Sequence, residues 1–175
     1  ISQFLTSLPF DHIFFTGGLG AAQEIVKASS THLPKLTLEL GGKSPAIIDS
    51  DIDVDLASAA KKIIWGKYVN SGQTCVAPDY LLVHETHKER FFTHCRKQLA
   101  EFFQATQETK ELSKHNTQSL PNSAYTRIID LRHFNHLSDA LEESKKRGAV
   151  EVAGGGQDKN QRIFLPTVID RVSLD

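Results

Sequence analysis

Hydrophobic and polar residues follow two kinds of pattern along the chain. Short apolar runs predict strands at residues 12–15, 36–40, 46–48, 80–83, 151–153 and 162–169, with the runs at 12–15 and 80–83 buried. Helical spacing predicts helices at residues 1–8, 21–30, 54–68, 86–103 and 125–147. The polar residues 104–123 predict a solvated connection, and residues 154–160 a turn. Strands that alternate with helices of this length predict an α/β fold with a largely parallel sheet flanked by helices.

Composition and charge exclude several classes of protein. The 175 residues are 39% hydrophobic and carry a net charge of −1, without the basic excess that nucleic acid or an anionic membrane would attract. No apolar run approaches the ~20 residues that a membrane-spanning helix needs. The chain has two cysteines, too few for a disulfide framework, so we expect a reducing, cytoplasmic setting. It contains no methionine, and we expect it to be a piece of a longer protein.

The two cysteines differ in their sequence context. Cys75 ends the polar turn Asn70-Ser71-Gly72-Gln73-Thr74, between a predicted helix and a predicted strand. Backbone N–H groups in such a turn can face a thiolate and stabilise it, which makes Cys75 a candidate nucleophile. The alternative is a small residue that fills a loop. Cys95 instead shares helical spacing with Phe91 and Leu99, and is predicted to belong to the core.

Glu39 is the carboxylate that interrupts an apolar strand. Two glycines follow it closely, at positions 41 and 42, and allow a ligand to approach the backbone. A partly desolvated carboxylate at a strand end is a candidate general base. A salt bridge, for example with Lys43, explains the same residue equally well.

A glycine-rich turn, Gly17-Gly18-Leu19-Gly20, lies between a predicted strand and a predicted helix. The full dinucleotide-binding fingerprint would need a glycine at position 23, where this chain has Gln23. A helix N-terminus that follows glycines can still bind a phosphate through its free N–H groups. An ordinary strand-to-helix turn is the alternative.

Two further patterns suggest metal binding but have simpler explanations. The acidic run at residues 49–55 lacks the glycine of a calcium loop, and its acids are better placed to cap the following helix. The pairs His84 with His87 and His133 with His136 have no carboxylate or cysteine at ligand spacing. We therefore predict that no metal is bound.

Two of these segments, taken together, resemble the signature segments of the aldehyde dehydrogenase superfamily. They are Leu38-Glu39-Leu40-Gly41-Gly42-Lys43-Ser44-Pro45 and Asn70-Ser71-Gly72-Gln73-Thr74-Cys75, in the family's order. Residues 65–68, 76–80 and 127–134 resemble the subgroup that contains the class 3 and fatty aldehyde dehydrogenases. The resemblance extends over nearly the whole chain and is loosest at residues 104–123.

The resemblance implies an activity and a set of site residues. An enzyme of this family oxidises an aldehyde to a carboxylic acid, with Cys75 as nucleophile, Glu39 as general base, and hydride transfer to NAD or NADP. The cofactor would lie near Gly17, Gly18, Leu40 and Gly41. The resemblance also implies a remnant of the Rossmann-like cofactor domain at residues 1–36 and a truncated catalytic domain at 37–175.

The resemblance further implies that other parts of the family's cofactor site precede and follow this chain. We therefore expect residues 1–175 alone to bind NAD no better than at millimolar concentration, to oxidise no aldehyde, and to self-associate through exposed apolar edges. The parent protein would be a homodimer that acts on a small-molecule aldehyde, with no nucleic acid partner. Two alternatives stay open at this point: a cysteine hydrolase, and a non-catalytic fragment or interaction domain.

Overall fold

The computed structural model describes residues 2–50, 53, 55–102 and 125–173. They form two compact units, Ile1–Lys43 and Ser44–Asp175. The division falls after Lys43, because the strand at Lys35–Glu39 pairs with a strand of the first unit. The assignment of residues 1–36 and 37–175 to two domains of the parent protein stays a prediction, and residues 104–123 lie outside the described residues.

The first unit is built on two parallel strands. Its elements are α1 (Ser2–Thr6), β1 (His12–Thr16), α2 (Leu19–Ser29) and β2 (Lys35–Glu39). Strands β1 and β2 pair in parallel, from His12 opposite Lys35 to Thr16 opposite Glu39. A parallel pair needs a crossover, which α2 supplies here. The prediction that residues 12–15 are buried was wrong: Phe14 is 67% exposed, because only the face that carries Ile13 and Phe15 is half-buried.

The second unit combines a parallel pair of strands with two antiparallel pairs. Its elements are β3 (Ser44–Ile48), α3 (Leu56–Tyr68), a 3-10 turn (Val69–Gly72), β4 (Pro78–Val83), α4 (Glu85–Phe102), α5 (Leu131–Lys146), β5 (Val150–Gly154), β6 (Gln157–Asp158), β7 (Ile163–Phe164) and β8 (Thr167–Asp170). Strand β3 pairs with β4 in parallel, whereas β5 with β8 and β6 with β7 are antiparallel. The α/β class is confirmed, and the antiparallel pairs were not predicted.

Helices α3 and α4 form the core of the second unit. Residues at i and i+4 share one face of a helix, so Leu56, Ala60 and Ile64 of α3 are buried together. In α4 the same spacing buries Phe91, Cys95 and Leu99, and the two sets belong to one hydrophobic cluster. The predicted core position of Cys95 is confirmed. Within the described part of the chain, every helix is too short or too polar to span a bilayer.

Several predicted boundaries differ from the structure, each for a local reason. Helix α5 begins at Leu131 rather than at residue 125, because the Asp130 side chain accepts a hydrogen bond from the His133 N–H at 2.8 Å and caps the helix. The predicted strand 162–169 is interrupted at Pro166, which has no N–H to donate, and becomes β7 and β8. The predicted turn 154–160 contains the short strand β6.

Two predictions around strand β4 and helix α3 had opposite outcomes. Strand β4 was expected to be buried, but Tyr80 and Leu82 are 47% and 53% exposed, since alternate residues of a strand face opposite sides. The capping prediction is confirmed at Asp55, whose carboxylate accepts a hydrogen bond from the Ser58 N–H at 3.0 Å.

Candidate active site

The carboxyl ends of β1 and β2 meet at one edge of the first unit. The two strands finish in register, with Thr16 opposite Glu39, and the Gly17 N–H donates to the Glu39 carbonyl oxygen at 3.0 Å. Gly18 follows Gly17 and Leu40 follows Glu39, so the strand pairing gathers the predicted cofactor residues beside the predicted base. This proximity follows from the parallel register alone.

The glycine turn leaves the N-terminus of α2 open. Gly18 is the N-cap, it makes no side-chain capping bond, and a Cβ atom built on it would meet nothing within 4 Å. The N–H groups of a helix's first turn have no partner within the helix and attract anions. At Gly17, a Cβ atom would lie 2.5 Å from the Phe15 Cζ, so a side chain would clash unless the ring moved. These features fit a bound phosphate group.

Glu39 itself is exposed in the first unit. The partial desolvation that the sequence analysis expected is therefore not present among the described residues of this unit. Gly41 offers open space as well, since a Cβ atom there would meet nothing within 4 Å. The backbone beside Glu39 is thus accessible to a ligand.

The loop that carries Cys75 has an unusual backbone conformation. Asn70, Ser71 and Gly72 all have left-handed φ values, of 54°, 55° and 76°. Glycine and asparagine adopt this region readily, whereas serine does so rarely. The Cys75 side chain is exposed, and its carbonyl oxygen accepts a hydrogen bond from the Ser44 hydroxyl at 3.4 Å. The thiol is therefore accessible on a loop with a defined backbone conformation.

Side chains of this loop reach a segment more than 50 residues away in the sequence. The Gln73 carboxamide donates to the Arg127 carbonyl oxygen at 3.1 Å and accepts from the Ile129 N–H at 2.9 Å. The Ser71 hydroxyl donates to the carbonyl oxygen of Thr126. Sequence reasoning assigned no role to Gln73 or Ser71, and their position beside Cys75 was the one signal available.

Cys95 has the opposite environment to Cys75. It is fully buried in the core, and this burial raises the pKa of its thiol to about 11, while the neighbouring Arg96 charge acts in the opposite direction. A thiol in this state is a poor nucleophile. Of the two cysteines, Cys75 is the one placed to react.

One of the predicted histidine pairs has a carboxylate beside it. His133 Nδ1 lies 2.8 Å from the Asp130 carboxylate, so the expectation that no carboxylate accompanies this pair was wrong. The same carboxylate caps α5, and hydrogen bonds from His133 lower the pKa of Asp130. Across the described ranges, His, Cys, Asp and Glu side chains form no group of three or more that could hold a metal ion.

Comparison with known proteins identifies the family. The model of the aldehyde dehydrogenase family matches residues 2–175. The chain belongs to the aldehyde dehydrogenase family. It is 42% identical over 171 residues to the putative aldehyde dehydrogenase AldX of Bacillus subtilis, covering 98% of this chain. It is 38% identical over 163 residues to aldehyde dehydrogenase family 3 member A2 of Macaca fascicularis, covering 93% of this chain. The predicted likeness to the class 3 group is thus confirmed.

A solved aldehyde dehydrogenase structure has the same fold. The substrate-bound state of Staphylococcus aureus AldH superimposes with a TM-score of 0.74 at 38% identity, over 99% of this chain. The chain spans about a third of the family members that it matches: 36% of AldX and 34% of the AldH chain. The roles predicted for Cys75 and Glu39 stay predictions.

Proposed function

We propose that this chain supplies the nucleophile, the general base and part of the cofactor site of an NAD(P)-dependent aldehyde dehydrogenase. The observation that carries the proposal is the exposed Cys75 on its left-handed loop, in a chain that matches the aldehyde dehydrogenase family along its length. Gly17 and Glu39 lie side by side at the carboxyl ends of β1 and β2, and this proximity supports the proposal independently. In the full-length protein, the substrate would be a small-molecule aldehyde.

The first chemical step belongs to Cys75. Its thiolate attacks the carbonyl carbon of the aldehyde, and a C–S bond forms while the carbonyl π electrons move to oxygen. The product is a thiohemiacetal whose oxyanion is stabilised by the Cys75 backbone N–H. The exposed position of the thiol gives an aldehyde access to it.

The cofactor residues lie at the edge of the first unit. Gly17 and Gly18 would hold the pyrophosphate, and Leu40 and Gly41 would lie beside the nicotinamide, where the missing side chain of Gly41 allows a close approach. NAD or NADP, when bound, would supply the acceptor for the hydride of the thiohemiacetal carbon. The remaining acyl group is then attached to Cys75 as a thioester.

Glu39 completes the reaction. Its carboxylate takes a proton from a water molecule, the resulting nucleophile attacks the thioester carbon, and the C–S bond breaks to release the carboxylic acid and the thiolate. A carboxylate must be ionised to accept this proton. The exposed position of Glu39 in the first unit gives a water molecule access to its carboxylate.

The test separates thioester formation from thioester hydrolysis in the full-length protein. In Glu39→Gln, formation should persist while hydrolysis slows, so a burst of reduced cofactor should precede a steady state that is ~10²–10⁴-fold slower. Rapid-mixing absorbance at 340 nm measures both phases. Cys75→Ser should lose both the burst and the steady-state turnover.

Glu24→Gln is the matched control, because Glu24 is an exposed glutamate of the same unit that pairs with Lys27 at 2.8 Å. It should retain the wild-type turnover. Full steady-state turnover in Glu39→Gln would remove Glu39 from the role of general base. An unchanged burst in Cys75→Ser would remove Cys75 from the role of nucleophile.

A further inference from the structure

We propose that Gln73 is a positioning residue, which holds the Cys75 loop in its left-handed conformation by bridging it to residues 125–129. This inference rests on the proposed function for its catalytic consequence, but not for the contacts themselves. The three hydrogen bonds of the Gln73 carboxamide, to Asn70, Arg127 and Ile129, are called the Gln73 bridge below.

The Gln73 bridge uses both polar atoms of the carboxamide. Nε2 donates to the carbonyl oxygens of Asn70 and Arg127, each at 3.1 Å, and Oε1 accepts from the Ile129 N–H at 2.9 Å. A carboxamide offers two N–H donors and one oxygen acceptor, so these partners match its capacity. They also fix its orientation, since a flipped amide would place its oxygen against two carbonyl oxygens.

Residues 125–129 are themselves attached to the strand β7 region. Ile128 is 1% exposed and its N–H donates to the Arg162 carbonyl oxygen at 2.8 Å, while the Arg162 guanidinium donates to the Ile129 carbonyl oxygen at 2.8 Å. The Tyr125 hydroxyl donates to the Phe164 carbonyl oxygen at 2.9 Å. Gln73 therefore joins the Cys75 loop to a segment with its own buried anchor.

The Cys75 loop needs such support because its backbone is not in a low-energy conformation. Asn70 and Ser71 both have left-handed φ values, and serine, unlike asparagine, rarely adopts this region. Conformations of this kind persist where the surroundings hold them. Ser71 donates a hydrogen bond to Thr126, and Gln73 donates one to Asn70, so the contacts act on the strained Ser71 and on its left-handed neighbour.

A spin label on Cys75 tests the proposal without aldehyde chemistry. A methanethiosulfonate nitroxide should attach to the exposed Cys75 and not to the buried Cys95 of the 175-residue chain. In Gln73→Met, which keeps the side-chain length and removes all three bonds, the electron paramagnetic resonance spectrum should show a rotational correlation time at least ~3-fold shorter. Gln23→Met, at an exposed glutamine of α2, is the matched control and should leave the spectrum unchanged.

Two further variants make the test specific to hydrogen bonding. Gln73→Glu keeps the acceptor for Ile129 but places a carboxylate against two carbonyl oxygens, so its label should be as mobile as in Gln73→Met. Ser71→Ala removes the second contact and should give a smaller increase in mobility. If Gln73→Met does not fold, Gln73→Glu and Ser71→Ala decide the question.

The catalytic consequence is measured in the full-length protein. Gln73→Met should lower kcat for aldehyde oxidation at least ~10-fold while the cofactor KM stays within twofold, because the cofactor residues of the first unit are unchanged. A label that is equally immobile in wild type and in the folded Gln73 variants overturns the proposal. A mobile label in Gln73→Met supports it even if the wild-type protein oxidises no aldehyde, an outcome that would refute only the proposed function.

Discussion

Cys75 and Cys95 should react with iodoacetamide at very different rates at neutral pH. The thiolate is the nucleophile in alkylation, so the rate depends on the ionised fraction and on access. Burial raises the pKa of Cys95 from 9.0 to about 11, against the smaller opposite effect of Arg96. Two pKa units correspond to about 100-fold less thiolate at neutral pH than in a thiol with the ordinary pKa.

Access increases the difference. Cys95 is 0% exposed among the residues of the core, so alkylation there also requires the fold to open. Cys75 is exposed, and its alkylation requires no opening. We expect Cys75 to react at least ~100-fold faster than Cys95, since ionisation and access act in the same direction.

The measurement is a time course of alkylation at pH 7.5, quenched with excess thiol and followed by peptide mass spectrometry. The Cys75 and Cys95 peptides report the two rates in one sample. In 8 M urea the two rates should become similar, and Cys75→Ser should leave only the slow phase in native buffer. Native rates within tenfold of each other would refute the argument from burial.

Two further predictions concern stability in the second unit, measured as urea unfolding midpoints. Desolvation raises the pKa of Asp170 and the ion pair with Lys88, at 2.7 Å, lowers it, so that the net pKa is below its usual value. The stability that Asp170 contributes is therefore present above the unfolded pKa of ~3.9 and is lost as the pH falls through the lower folded pKa. Asp170→Asn should reduce this loss. Phe134→Ala should cost ~3–5 kcal/mol, because Phe134 is 2% exposed and contacts Phe164 edge-to-face with ring centroids 5.9 Å apart. Leu137→Ala, on the same helix but 40% exposed, should cost under ~1 kcal/mol. An equal loss in the two variants, or an unchanged acid profile in Asp170→Asn, would contradict these predictions.

The core could be predicted from the sequence because it depends on local periodicity. Leu56, Ala60 and Ile64 recur at helical spacing, and the structure buries all three. The start of α5 was predicted six residues too early, although Asp130 is a typical N-cap residue. In that case an apolar spacing that extended beyond the helix outweighed a capping signal that was present.

The edge of the first unit was also within reach of sequence reasoning. Gly17 follows the predicted strand 12–15 and Glu39 lies near the end of the predicted strand 36–40, and a parallel pair places such ends together. The exposure of Phe14 could not be predicted from the sequence, because an apolar run gives no information on which of its two faces is covered. Position along a strand is a local property, whereas burial depends on the other elements that pack against it.

The Cys75 loop shows the same difference between local properties, which the sequence predicts, and long-range contacts, which it does not. The chemistry of the site follows from residue types, since a thiol and a carboxylate are identified from their neighbours in the chain. The contacts of Gln73 join it to Arg127 and Ile129, which are 54 and 56 positions away, and no periodicity relates residues at that separation. Nothing in the sequence predicts that Ser71 has a left-handed φ. That conformation nevertheless makes the loop dependent on those contacts. Residues that support a strained loop should therefore affect turnover as strongly as many residues that touch the substrate, because a displaced nucleophile loses the geometry on which attack depends.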